Sequence, residues 1–206
     1  MSAFEFFFSF YGLLLGLSVA ELVSGFSRVL HERERIRFGW LTPLLAVFVA
    51  TDIVTFWNQA WVIFRGAPFN FGLLVLGLIV AATFYVAASV TFPRVATEGK
   101  RLDLDDHFWA HRRIVFGCIL AANLLIGGVF FVVLGLNGEM GRFPLPPIFW
   151  FGLAIFVGGT SVGTFARGRR WVVGALVVLV AYNLFTTARA LNVVIQAGGW
   201  SLLQGS

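Results

Sequence analysis

Residues 71–93 read FGLLVLGLIVAATFYVAASVTFP, and this run of 23 residues without a charge decides the fold. A bilayer core about 30 Å thick is crossed by roughly 20 apolar residues wound into a helix. Working outward from it, five more segments meet the same requirement: Phe4 to Leu30, Trp40 to Phe64, Ile114 to Leu136, Ile148 to Ala166 and Trp171 to Ile195. Turn chemistry separates them, with Gly66-Ala67-Pro68 after the second span, Asn137-Gly138 after the fourth, and Pro144, Pro146 and Pro147 before the fifth. The chain is therefore expected to be all-α and polytopic. It reads as one integral membrane domain over residues 1–206, a six-transmembrane-helix bundle.

Composition agrees. Of the residues 59% are hydrophobic, 17% aromatic and only 12% charged, against about half apolar and a quarter charged in soluble domains. So apolar a chain is expected to have the lipid bilayer as its surroundings. Met1 to Glu5 lack a positively charged signal region, and the apolar run that follows is too long for a cleaved signal, so the first helix should be permanent. Cys118 is the single cysteine, which excludes an intrachain disulfide.

The basic residues set the expected orientation. Arg28, Arg33, Arg35 and Arg37 follow the first span. Arg94, Lys100, Arg101, Arg112 and Arg113 lie between the third and fourth, and Arg167, Arg169 and Arg170 between the fifth and sixth. The opposite side holds Arg65 and Arg142, with Arg189 near the outer end of the last span. The positive-inside rule then places both termini outside, N-out/C-out. Trp40, Trp109 and Trp171 fall at the inner ends and Trp57, Trp61, Trp150 and Trp200 at the outer ends, the headgroup levels that indole prefers. The net charge of +5 is thus spent on orientation, and no nucleic-acid partner is expected.

Polar groups inside the spans carry the functional argument. At about 1.5 Å per residue, Asp52, Asn123 and Asn183 come from three helices to one depth near the middle of the bilayer. A carboxylate there is destabilising by several kcal/mol unless paired, neutralised or facing water, which makes it a functional candidate. Neutralised by a proton, it can donate a hydrogen bond to an asparagine. Glu21, Tyr85, Thr160 and Ser161 form a layer nearer the inner side; Glu5, Asn58, Arg189 and Asn192 form one near the outer side. Stacked, the layers make a transport path with Glu21 and Asp52 as titratable steps. The competing reading is helix-to-helix glue, with Glu21 paired to Arg28 and Glu5 to Arg189 as an outer-end pair.

Asp103 to Arg113 read as a helix start running into the fourth span, with Asp103, His107 and His111 on one stripe. Histidines at i and i+4 can share a metal, and they can equally titrate at a solvated surface. Gly12 with Gly16, and Gly159 with Gly163, have the spacing that lets helices approach closely, either within the chain or in a homo-oligomer. Arg33, Arg35, Arg37, Arg112 and Arg113 are expected to face anionic lipid or a partner protein.

Several classes are excluded or lowered. No span holds a histidine for an axial haem ligand, three histidines are too few for a histidine-rich di-iron site, and the lone Lys100 lies in a loop. Walker and potassium-filter sequences are absent, and no cofactor is expected. The leading expectation is a channel or transporter that moves a proton, cation or small solute past Asp52 in a bacterial inner membrane. The alternatives are a non-catalytic module that binds lipid or protein through its basic loops, and an enzyme using the Asp103, His107 and His111 stripe.

Overall fold

The computed structural model describes residues 3–64, 70–94, 102–136 and 147–196. The expected turns at 66–68 and 137–138, Pro144, Pro146, Arg65, Lys100, Arg101, Arg142, Trp200 and the Trp61 side chain lie outside the described residues. Six helices account for nearly everything else: α1 (Ala3–His31), α2 (Leu41–Phe64), α3 (Phe71–Thr91), α4 (Leu104–Leu136), α5 (Pro147–Phe165) and α6 (Arg169–Gln196). All six are long and apolar enough to cross a membrane.

Local chemistry explains where the helices begin and end. The Asn70 side chain accepts from the Leu73 N–H at 2.9 Å and starts α3. Phe92 precedes Pro93, which keeps it out of helical backbone, and α3 stops there with Phe92 extended at φ −111° and ψ 148°. Asp103 caps α4 by accepting from the Asp105 N–H at 2.8 Å. Pro147 opens α5, where its missing N–H leaves no helical bond unmade.

One feature was not anticipated from the sequence. Ile36–Arg37 (β1) and Leu102–Asp103 (β2) pair in parallel, joining the α1–α2 and α3–α4 connections. The Leu102 N–H donates to the Arg35 carbonyl at 3.1 Å, and Arg37 lies 3.7 Å from the Asp103 carboxylate.

The core is organised around α2. The other helices follow the order α1, α3, α4, α5, α6 by side-to-side packing, and α2 packs against α1, α3, α4 and α6. Phe48 meets Phe116 of α4 and Phe156 of α5, while Phe56 meets Phe84 of α3 with centroids 4.9 Å apart. Asp52 lies between those two phenylalanines, one helical turn from each.

Glycines set the close approaches. A Cβ on Gly159 would stand 2.8 Å from Leu179 of α6, and one on Gly163 would stand 2.5 Å from Phe116 of α4. Gly12 lies against the Trp57 indole of α2, whereas Gly16 faces open space. Three of these four glycines therefore serve packing inside one chain.

Candidate functional site

Asp52 is the midpoint of α2, about 17 Å along the helix from Leu41. It is 2% exposed, and its Oδ2 has no hydrogen-bond partner. Among the described residues no cationic side chain forms an ion pair with it. Asn123 of α4 turns its side-chain amide toward the carboxyl and also donates to the Ile119 carbonyl at 2.9 Å.

Two residues that sequence reasoning passed over complete the layer. Tyr11 of α1 is buried, its hydroxyl has no partner, and it lies within electrostatic reach of Asp52. Thr51 accepts from Asn183 Nδ2 of α6 at 3.1 Å and directs its own hydroxyl to the Val47 and Phe48 carbonyls. Adjacent α2 residues thus address different neighbours, Thr51 looking to α6 and Asp52 to α1 and α4. A signal for Tyr11 was present: Phe7, Tyr11, Leu15, Ser18 and Leu22 share one buried stripe with helical spacing.

The layer nearer the basic end does not assemble into a path. Glu21 pairs with Arg28 at 3.4 Å, as its heptad spacing suggests. Tyr85 is 41% exposed and stands away from the cluster. Thr160 is buried and donates to the Phe156 carbonyl at 2.7 Å, closing its bond within α5. At the far end Glu5 and Arg189 are both exposed, on helices α1 and α6.

The other expected sites separate. Asp103 is committed to the α4 cap and to Arg37. His107 and His111 stack with centroids 4.2 Å apart; His107 bonds the Val90 carbonyl and His111 the His107 carbonyl. Among the described residues no three His, Cys, Asp or Glu side chains gather to hold a metal. His31, at the end of α1, bonds the Ser27 carbonyl.

Arg112 corrects the expectation that it faces lipid or a partner. It is 5% exposed, donates to the Gly163 and Ala166 carbonyls, and so satisfies the end of α5. Trp109 is stacked by Arg112 and Arg169, at 5.3 and 4.7 Å from the ring centre. Arg33, Arg35, Arg37 and Arg113 are exposed.

No family model matches the chain, and neither a curated protein nor a solved structure does. Function therefore rests on this chain's own geometry.

Proposed function

We propose that the six helices cross the bacterial inner membrane with both termini outside, and that the protein moves a proton, cation or small solute past Asp52. One observation carries this reading. A carboxyl group is buried midway along α2, in no ion pair among the described residues, with one oxygen unpartnered, the Asn123 amide of α4 turned toward it and the buried Tyr11 of α1 within electrostatic reach. A buried ionisable group without a partner is destabilising, and its replacement by an apolar residue would be the simpler structural solution. In this reading the arrangement is the closed one, with Phe48 and Phe56 buried one helical turn to either side of Asp52 along α2. Transport requires those rings to part.

The test is flux into proteoliposomes, comparing wild type with Asp52→Asn. Flux that is lost in a correctly folded variant supports the reading; equal flux in the two rejects it.

A second reading has its own observation. The β1–β2 pairing, the Arg112 bonds to α5 and the Arg169–Trp109 stack bring the three arginine-bearing connections to one end of the bundle. Arg33, Arg35, Arg113, Arg167 and Arg170 are exposed there. Such an end suits anionic headgroups or an acidic partner protein. Replacing Arg33, Arg35 and Arg113 by glutamine should weaken binding of the detergent-solubilised protein to phosphatidylserine vesicles, while Asp52→Asn leaves it intact.

A further inference from the structure

Three properties of the Asp52 surroundings restrict what the carboxyl can carry. The first is the supply of oxygen ligands. A hard cation such as calcium or magnesium takes about six or more oxygens, several of them carbonyls, carboxylates or water. Among the described residues, the side chains interacting with Asp52 are Tyr11 and Asn123, and Thr51 already serves Asn183 and its own helix. The second is the filling of the remaining space by aromatic carbon. Phe48 and Phe56 flank the carboxyl along α2, Phe116 and Phe84 back them, and Tyr11 itself meets Phe56 with centroids 6.3 Å apart.

The third is charge. The ion pairs among the described residues are Arg28 with Glu21 and Arg37 with Asp103, both toward the basic end. Among the described residues on the helices packed against α2, the titratable side chain within electrostatic reach of Asp52 is Tyr11, which supplies no positive charge at neutral pH. A proton is the one cation that needs a single acceptor oxygen and leaves an uncharged group behind.

We infer that Asp52 carries a proton rather than a metal cation or a solute, and that Tyr11 is a positioning residue for it. This inference rests on the transport reading and names its cargo. The step is a transfer of one proton to Asp52 Oδ2 from one side of the membrane and its release from the same oxygen to the other; no bond between heavy atoms changes. Tyr11 supplies a hydroxyl that can accept from the protonated acid or donate to the carboxylate, so it serves both states. Burial without any hydrogen-bond partner keeps the hydroxyl available for that role.

Two measurements on the full chain test this. In proteoliposomes, proton uptake is followed with an entrapped pH dye, and sodium and potassium uptake with radioactive tracers. In the same preparation, infrared spectra at neutral pH seek the carbonyl stretch of a buried carboxylic acid, identified by carbon-13 aspartate labelling. The expected result is proton flux without metal-ion flux, together with an acid band lost in Asp52→Asn. Tyr11→Phe should shift that band and slow proton flux about 3- to 10-fold, the effect of one neutral hydrogen bond. Sodium or potassium flux that depends on Asp52 overturns the inference while leaving the transport reading in place. Absence of the acid band overturns it too. No flux of any of the three ions overturns the inference, whatever the band shows, and leaves the transport reading with a small solute as its cargo.

Discussion

Arg112 and Arg113 are neighbours in sequence and opposites in the structure, one buried against α5 and the other exposed. The difference is legible in helical spacing: Leu104, Phe108, Arg112, Val115 and Ile119 form one buried stripe, and Arg113 lies outside it. Charge alone hides this, because the rule that sorts arginines to one side of a membrane says nothing of which face of the helix they occupy. Arg112→Met should destabilise the protein by about 2–3 kcal/mol, since it strips two carbonyls at the end of α5 of a charged donor. Arg113→Met should change stability by less than about 0.5 kcal/mol. Thermal unfolding in detergent, run side by side, separates the two. Asp105 is a smaller case of the same kind. Its carboxylate accepts from the Leu41 N–H at 3.0 Å, so a residue of α4 caps α2 from 64 positions away. Asp105→Ala should lower stability by about 1 kcal/mol and Asp105→Asn by less. No local pattern announces a cap supplied from so far along the chain.

Helix–helix approach depends on which face a glycine occupies, and this is where the sequence was readable only in part. Of the two GxxxG spacings, Gly159 and Gly163 both mark close packing but address two different helices, and of the other pair only Gly12 is used. Gly163→Ala should therefore be destabilising by about 1–3 kcal/mol, because the new methyl meets the Phe116 ring rather than a flexible chain end. Gly16→Ala and Gly158→Ala meet open space and should be neutral or stabilising by up to about 1 kcal/mol through helix propensity. A stability ranking that put all three together would show the α4–α5 contact to be looser than described. The same division explains the polar layers. Depth along a span follows from a fixed rise per residue, and Asn123 and Asn183 approach α2 at the neighbouring Asp52 and Thr51. Direction around the helix does not follow from depth: Tyr85 turns outward, whereas Tyr11 is buried within reach of Asp52. The β1–β2 pair is only two residues on each strand, too short for an alternating pattern to be seen.

The arrangement of the whole molecule gathers what the sequence shows only as separate arginine clusters. Three connections converge because of contacts made by their neighbours: parallel pairing between two of them, and Arg112 and Arg169 tying α4 to the end of α5 and the start of α6. One end of the bundle is consequently rich in exposed arginine, while α3 begins at the other end with Asn70 and an exposed Phe71. Under the proposed orientation the arginine end faces the cytoplasm, because moving many guanidinium groups across the bilayer during insertion is unfavourable. This can be measured in a Cys118→Ser background, where the lone native thiol no longer reacts. A cysteine introduced at Glu34, exposed at the arginine end, should be protected from a membrane-impermeant maleimide in intact cells and react only after permeabilisation. A cysteine at Phe71 should react without permeabilisation. The reverse pattern would turn the bundle over and place the charge on the outside. Dual labelling of both sites would show that the arginines do not fix a single orientation. A further variant then isolates the cause: replacing Arg33, Arg35, Arg37 and Arg113 by glutamine should convert the single orientation into a mixture. Orientation unchanged by that replacement would assign the decision to Arg167, Arg169 and Arg170 or to the order in which the helices insert.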